Sequence, residues 1–515
     1  MPGDISVTIP ELLEQRAQQY GDRTFLYFED AEYSFNHLHK GACTVAANLR
    51  KHGLGMGDKI VLLTGNCLEF LYTFLGAGRI GAVVVPVNPT LKAEELAHIV
   101  NNSEATAIVM MADLLPLVPV IHQTMPLVKH LFVVGEGSGE GTQSFSVLLE
   151  PVTDIPAIAA DETCDAAIMY TSGTTGLPKG VVLTHGNYVW NARAVLSSNR
   201  QTEKGRALCI LPLFHVNAQV VTLLYPMFAG ASLVLMSRMN VMGILPLIAK
   251  HKVTFMSGVP TVYNILCGLP KAKEIDVSSI DYFVSGAAPL PEETYQAVQR
   301  VFKKPLIMGY GLTEATCASM VATAEDPIRW NSVGPALRYT SVRIVNDQGQ
   351  DVPVGEVGEI LISGPCVMKG YYKNPEATAE VLKDGWLYTG DLGRMDDHGY
   401  LYIVGRLKDM IIRGGQNIYP AQIEGTLIRL EGVEEACVVG LEEPRWGQEV
   451  LAVIKVAEGH TLTEEQVKAF CKEHLAAYKC PEYIRFVESL PKTPLGKPRK
   501  NEVVAMFSDI IKPRR

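Results

Sequence analysis

The chain has 515 residues, 47% hydrophobic and 20% charged, which excludes wholesale disorder and allows two to four domains at roughly 150 residues each. Its 46 basic and 55 acidic side chains give a net charge of −9, which argues against a globally basic nucleic-acid binder. The 45 glycines and 30 prolines follow no three-residue period, so collagen-like structure is excluded.

The opening MPGDISVTIPELLEQ has an early acid and no basic stretch leading into an apolar run, so it is not expected to be a signal peptide. Short β-branched runs follow: KIVLLTG (59–65), AVVVPV (82–87), ATAIVMM (105–111) and HLFVVG (130–135) read as buried strands. Residues 67–79 and 93–102 carry helical spacing between them. This alternation predicts an α/β fold, with parallel sheet flanked by helices. From Ala207 to Ser237 there is no Asp, Glu, Lys or Arg, a length that could cross a bilayer. Pro212, His215, Asn217, Gln219 and Pro226 interrupt it, so a buried strand–turn–helix–strand core is expected instead. No transmembrane segment is expected, and peripheral contact with a membrane stays open.

After about residue 335 the runs SVRIVND, GEVGEILISG and GYLYIVGR predict a small β-rich subdomain, over about 335–404. The segment GRLKDMIIRGGQNIYP (405–420) concentrates charge and glycine, and αβ patterning resumes beyond it. Thr463 and Gln466 predict a capping box, with Val467, Phe470, Cys471 and Leu475 on one helical face. The expected division is a large N-terminal domain over 1–404, a hinge over 405–409 and a small α+β lid over 410–515. From Arg406 onward there are 17 basic and 16 acidic residues, and from Lys479 nine against four. The ten cysteines form no CxxC, which predicts no zinc site and mostly buried, reduced thiols in a cytoplasmic protein.

The strongest local signal is the run Tyr170 to Gly180, YTSGTTGLPKG, directly after the apolar AAIMY. Its glycines (Gly173, Gly176, Gly180) let backbone N–H groups turn toward an anion. The hydroxyls of Thr171, Ser172, Thr174 and Thr175 add donors, and Lys179 adds charge. It is not a Walker A loop, because that glycine spacing and the Lys-Ser/Thr pair are missing.

YTSGTTGLPKG resembles the phosphate loop of the adenylate-forming superfamily of acyl-CoA synthetases, peptide-synthetase adenylation domains and beetle luciferases. LPLFH (211–215), SGAAPLP (285–291), GYGLTEA (309–315), GWLYTGD (385–391), GRLKDMIIRGGQNIYP (405–420) and PLGK (494–497) follow in that family's order and approximate spacing. The sequence looks closest to bacterial fatty-acid and related CoA ligases. The resemblance implies ATP-dependent activation of a carboxylic acid to an acyl-adenylate, then transfer to the thiol of coenzyme A. Such chemistry is mainly positioning and electrostatic stabilisation.

Carried over residue by residue, the resemblance gives the β- and γ-phosphates to Thr171, Ser172, Gly173, Thr174, Thr175, Gly176 and Lys179. Thr313 takes the α-phosphate and Glu314 the Mg²⁺, a hard cation suited to oxygen ligands. Asp391 and Arg406 hold the ribose, while Gly286, Ala287, Ala288, Gly309 and Tyr310 form the adenine slot. Lys497 bridges the attacking carboxylate and the α-phosphate, offsetting the repulsion between two anions. Lys408 is the hinge, and Gly414, Gly415, Gln416 and Asn417 resemble the loop facing the pantetheine tunnel. His215 is placed as the gate between that tunnel and the acyl pocket. By fold-level analogy the pocket draws on Val216, Asn217, Ala218, Gln219, Val220, Ser285, Met308 and Cys317.

A second carboxylate on the substrate would need a buried cation, and 207–237 contains none, although Arg238 follows it. This favours monocarboxylates with apolar tails, fatty or aryl, with Asn217 and Gln219 able to serve a hydroxyl or amide. The expected partners are the acid, ATP and coenzyme A, with a monomer or homodimer as the assembly. A carrier-protein-loading module is expected to continue into a carrier domain, which this sequence does not contain. A non-catalytic relative is expected to have lost Glu314, Asp391 or Lys497, and all three are present. Lys497→Ala should abolish acid-dependent pyrophosphate exchange yet retain thioester formation from preformed acyl-adenylate. An unchanged exchange rate would contradict the assignment.

Overall fold

In the computed structural model, which describes residues 7–171, 178–199, 201–324, 329–444, 446–492 and 498–510, the apolar runs alternate between two different cores. Ile60 and Leu62 enter one cluster while Val61 and Leu63 enter another. Ala107 and Val109 are likewise separated from Ile108 and Met110. Side chains alternate along a strand, so one buried on both faces reads as an unbroken hydrophobic run.

These strands belong to an eight-stranded sheet in the order Gly370–Tyr371, Lys179–Thr184, Asp165–Thr171, Val83–Pro86, Lys59–Leu63, Ala107–Met111, His130–Val134, Thr142–Ser144. It is parallel from Asp165–Thr171 onward and antiparallel at the other edge. A second eight-stranded sheet runs Met320–Val321, Leu306–Tyr310, Tyr282–Ser285, Phe255–Gly258, Arg206–Cys209, Ser232–Leu235, Thr24–Phe28, Ala31–Ser34. Its inner strands are parallel and both edge strands antiparallel. The largest core lies between the two sheets. It takes Leu38 and Leu49 from helix Phe35–Lys51, Phe70 and Leu71 from Leu68–Gly76, and Tyr188 and Ala192 from His185–Asn199. Helices Val241–His251, Pro260–Gly268 and Glu292–Phe302 cover the outer face of one sheet, and Ala93–Ser103 and Val118–Thr124 that of the other.

The uncharged stretch is the expected strand–turn–helix–strand: Arg206–Cys209, a helical segment, then Ser232–Leu235. Its helix differs in one respect, since Ala218–Leu224 winds as a π-helix before Tyr225–Ala229 continues as α-helix with Pro226 in its first turn. Wide turns of this kind concentrate at functional sites. Among the described residues no helix is long and apolar enough to cross a membrane.

A smaller antiparallel sheet contains Ser341–Val345, Gly358–Ser363, Trp386–Met395, Leu382–Lys383 and Leu401–Arg406. One 3₁₀ turn, Leu407–Asp409, leads from it to the last sheet. That sheet joins Gln416–Ile418, Ile411–Arg413, Gly447–Val456 and Val433–Glu443, with Tyr483–Val487 parallel to Gly447–Val456. The Thr463/Gln466 capping box forms, and Val467 and Cys471 are buried. Phe470 instead stacks against His474, with ring centroids 4.2 Å apart. All ten cysteines are unpaired and seven are buried.

His185 opens helix His185–Asn199 at 2% exposure, and neither ring nitrogen has a hydrogen-bond partner. Gly78 lies so close that a Cβ there would meet the imidazole. Burial pushes the imidazole pKa down to about 4, only partly opposed by Asp161, so the folded protein holds it neutral. A base with a depressed folded pKa contributes stability that is present above about 6.5 and lost as pH falls from there toward 4. The loss reaches up to about 3 kcal/mol. His185→Leu should therefore flatten the fall in melting temperature between pH 7 and pH 4.5. An identical fall in both proteins would refute a titrating His185.

Candidate active site

The run that carries the phosphate-loop pattern begins and ends on two strands paired antiparallel. Thr171 ends Asp165–Thr171, Lys179 begins Lys179–Thr184, and the two face each other across the antiparallel ladder. Ser172, Gly173, Thr174, Thr175 and Gly176 lie outside the described residues. Gly180 must be glycine, because a Cβ would come within 2.7 Å of Ile168. The Lys179 ammonium stands 5.2 Å from the centre of the Tyr371 ring. Strand Gly370–Tyr371 pairs with the same strand that Lys179 opens.

Thr313 and Glu314 sit in a 3₁₀ turn, Thr313–Ala315, just past the carboxyl end of strand Leu306–Tyr310. The turn is tight. A Cβ on Gly311 would collide with the Cys317 carbonyl, and Thr316 adopts φ +66° while donating to the Cys366 carbonyl at 2.6 Å. Glu314 accepts a hydrogen bond from the Tyr371 hydroxyl at 3.0 Å. Its backbone carbonyl accepts from the Met368 N–H at 2.8 Å. Lys179, on a strand of one sheet, and Glu314, in the turn beyond a strand of the other, therefore meet at one tyrosine. Tyr371 lies in none of the motifs that mark the site in the sequence. The available signal was the Gly-Tyr-Tyr step itself, since Gly370 has φ +151° and a Cβ there would strike Thr378.

Asp391 lies within strand Trp386–Met395 opposite Arg406, and the Arg406 Nε is 3.0 Å from Oδ1. The Tyr310 hydroxyl donates to Oδ2 at 2.7 Å. Asp391 is 6% exposed, so the carboxylate is buried but paired on both oxygens. Burial and the neighbouring Asp391 raise the Tyr310 pKa well above its ordinary value, which keeps it a proton donor. Tyr310 thus spends its hydroxyl on Asp391, a contact that an adenine slot alone does not call for. Gly286, Ala287 and Ala288 follow strand Tyr282–Ser285. The Gly286 N–H donates to the Gly258 carbonyl at 3.2 Å, and a Cβ on Gly286 would lie 3.4 Å from the Gly309 carbonyl. Ala287 takes a left-handed φ of +65°. All five adenine-slot candidates therefore sit at the carboxyl ends of neighbouring parallel strands, where open α/β sheets bind ligands.

His215 is half-buried at the end of a loop clamped by Asn66. The Asn66 amide donates to the Leu211 and Met236 carbonyls and its oxygen accepts from the Leu213 N–H. Asn217 follows, its Oδ1 accepting from the Ser257 hydroxyl at 3.1 Å. Ala218, Gln219 and Val220 are wholly buried. Gln219 departs from the expectation of a substrate-facing amide. Its oxygen accepts from Tyr188 at 2.6 Å and its nitrogen donates to the Leu213 carbonyl at 2.7 Å. Ser285 is buried with an unpartnered hydroxyl, and burial pushes the Cys317 thiol up to about 12. Val216 and Met308 are half-buried.

Gly414 and Gly415 form the two-residue turn between Ile411–Arg413 and Gln416–Ile418, with φ +57° and +81°. Two positive φ values demand such residues whatever else the turn does, so the glycines need no tunnel to account for them. Gln416, Asn417 and Lys408 are exposed. Lys497 lies outside the described residues, and its flanking Lys492 and Pro498 pair in an antiparallel bridge. Among the described residues no group of three or more His, Cys, Asp and Glu is placed to hold a metal.

Comparison with known proteins places the chain in a family. The family profile described as AMP-binding enzyme matches residues 13–372, and the profile of the AMP-binding enzyme C-terminal domain matches residues 422–497. The chain is similar to a feruloyl-CoA synthase of an Amycolatopsis species, 36% identical over 496 residues covering 96% of this chain and 98% of that protein. It is also 35% identical over 504 residues to a long-chain-fatty-acid–CoA ligase of Mycobacterium tuberculosis, covering 97% and 98%. The crystal structure of an anthranilate CoA ligase in complex with anthranoyl-AMP superimposes with a TM-score of 0.90 at 27% identity, over 98% of both chains.

Proposed function

This chain belongs to the AMP-binding enzyme family and is an AMP-forming acid–thiol ligase, and from that premise we propose a substrate class and a role for each site residue. The overall reaction activates a carboxylic acid with ATP, giving acyl-AMP and pyrophosphate, and then passes the acyl group to coenzyme A, releasing AMP.

The observation that carries the assignment of roles is the buried Asp391, held by Tyr310 and Arg406. A carboxylate oriented in this way keeps lone pairs for two vicinal hydroxyls, which suits a ribose. The adenine then lies along Gly286, Ala287, Ala288 and Gly309, where backbone approaches backbone without side chains between. Thr171, Ser172, Thr174, Thr175 and Lys179 receive the β- and γ-phosphates, and Thr313 the α-phosphate. Glu314 is the cation ligand. With one carboxylate and no metal-binding cluster among the described residues, the donor set suits Mg²⁺, which keeps water and phosphate oxygens as its other ligands. When bound, the ion would neutralise charge on the phosphates. Lys497 would bring a cation to the α-phosphate during attack. After pyrophosphate leaves, rotation about Lys408 would exchange that lysine for the Gly414–Gly415 turn beside the thiol. His215 gates the tunnel.

The acid is a monocarboxylate with a largely apolar tail, alkyl or aryl. Two cations flank the uncharged stretch: Arg206 is committed to the Ser232 and Tyr27 hydroxyls and the His251 carbonyl, and Arg238 is 86% exposed and lies 3.9 Å from Asp113, so neither is a free buried counter-ion for a second carboxylate. Ser257 occupies the Asn217 oxygen and leaves its amide N–H₂ free to donate. Gln219 is committed to the core. The Asn217 amide and the unpartnered Ser285 hydroxyl on a largely apolar wall fit a hydroxylated or oxo-substituted tail better than a plain hydrocarbon.

A screen of carboxylic acids for AMP release, with and without coenzyme A, tests the function. Aryl and alkyl monocarboxylates should release AMP and turn over repeatedly only with coenzyme A, while dicarboxylates should be poor. Turnover that ignores coenzyme A and requires a carrier protein would overturn the acceptor. Asn217→Leu should lower the kcat/KM ratio of para-hydroxylated over unsubstituted aryl acids by about tenfold, the worth of one hydrogen bond. An unchanged ratio would remove Asn217 from the acyl pocket.

A further inference from the structure

Tyr371 touches two charged groups far apart in sequence, one opening a strand of one sheet and the other in the turn beyond a strand of the second. Its hydroxyl donates to Glu314 Oε1 at 3.0 Å, and its ring face lies 5.2 Å from the Lys179 ammonium. Both contacts use the intrinsic chemistry of a phenol, an acidic O–H at the rim and a negative π-face. We propose that Tyr371 is a positioning residue for the nucleotide-bound metal, fixing the Glu314 carboxylate and the Lys179 ammonium at a set separation. The proposal rests on the reading of Glu314 as cation ligand and Lys179 as phosphate ligand.

The backbone around Tyr371 is held on three sides. Tyr371 pairs with Val181, and the flanking Lys369 and Tyr372 N–H groups donate to the Val182 and Gly180 carbonyls at 3.0 and 2.7 Å. Its own N–H donates to the Thr378 hydroxyl at 2.9 Å. The preceding segment is tied to the Glu314 turn through Met368, and to helix His185–Asn199 through Asn187, which donates to the Pro365 and Val367 carbonyls. The phenol is therefore anchored to the strand that Lys179 opens, and it reaches across to the turn that carries Glu314.

The geometry suits the role, since the hydroxyl is directed at a single oxygen of the Glu314 carboxylate. One bond to Oε1 leaves Oε2 and the remaining lone pairs for a cation, and it removes the rotation that an unheld carboxylate would retain. Ligating carboxylates are oriented in this way by outer partners, whose loss costs roughly 10- to 100-fold in metal affinity. The ring acts separately on Lys179, restraining an ammonium that has no carboxylate partner among the described residues.

The two contacts predict separable effects. Tyr371→Phe keeps the ring and loses the hydroxyl, whereas Tyr371→Leu loses both. Binding of Mn²⁺ to the enzyme complex with α,β-methylene-ATP, followed by the electron paramagnetic resonance of free Mn²⁺, needs no acid substrate and no turnover. Tyr371→Phe should weaken Mn²⁺ about tenfold and leave metal-free affinity for the analogue unchanged. Tyr371→Leu should weaken both. Glu314→Gln should weaken Mn²⁺ by itself, and adding Tyr371→Phe to it should weaken Mn²⁺ no further. Thermal melting of each variant reports folding separately. Wild-type Mn²⁺ affinity in Tyr371→Phe, with Glu314→Gln impaired, would overturn the proposal and leave the Glu314 reading standing. Additive losses in the double variant would also overturn it. Wild-type affinity in Glu314→Gln would refute the reading of Glu314, and the proposal with it.

Discussion

A buried carboxylate held from two sheets is the contact on which the geometry of this protein turns. Asp391 is 6% exposed, and an ionised group so placed must be paired and hydrogen-bonded to be tolerated. Its partners have different origins. Tyr310 comes from the carboxyl end of a parallel strand, and Arg406 from the neighbouring strand of the small antiparallel sheet. The pairing therefore seats the small sheet against the edge of a large one. Arg406 is also the residue after which the chain turns, through Leu407–Asp409, toward the last sheet. The same interaction shapes a ligand site and sets the point of departure for the C-terminal part of the chain.

Around this contact the backbone is bent in ways that ordinary residues resist. Ala287 and Thr316 both adopt φ near +65°, with values of +65° and +66°, each costing of order 1 kcal/mol or more. Gly311 has the Cys317 carbonyl where a Cβ would be. All three lie just beyond the carboxyl ends of the strands Tyr282–Ser285 and Leu306–Tyr310. Strain is thus gathered along one edge, where the chain must expose backbone and turn at once. The surrounding hydrogen bonds, such as that from Thr316 to the Cys366 carbonyl, hold the bent conformation.

The elements most legible in the sequence are those buried on both faces. KIVLLTG, ATAIVMM and HLFVVG stand out because two separate cores take their apolar residues in alternation. The capping box at Thr463 was legible because it is local. What the sequence hid depends on distance or on winding. A π-helix over Ala218–Leu224 has no distinctive period across seven residues. Gln219 looked available in a one-dimensional reading, and only the fold brings Tyr188 and the Leu213 carbonyl to it. Tyr371 meets its carboxylate across 57 positions of sequence and reads as one aromatic among twenty tyrosines. Residues that the family motifs mark were legible one by one. Their mutual contacts were not, since a motif says which residue occurs and not which neighbour it leans on.

The net charge of −9 poses a physical problem for a protein whose ATP, carboxylic acid and coenzyme A are all anions. The resolution lies in local fields that net charge does not describe. Desolvated donors on a fixed scaffold act at short range, while surface charges are screened beyond about 10 Å at moderate salt. Arg406 and Lys179, both assigned to the proposed site, each lie beside a carboxylate or aromatic partner that fixes where the charge points. The strand ends contribute backbone N–H groups that carry no formal charge at all. The C-terminal part, with 17 basic and 16 acidic residues from Arg406 onward, adds no net repulsion where it meets the rest of the chain. At that junction Lys500 lies 2.9 Å from Glu424 and 3.9 Å from Asp409, so a basic side chain of the last helix balances the acid of the connecting turn. Acidity on the solvated surface and attraction at the site are then compatible, because each acts at a range the other does not reach.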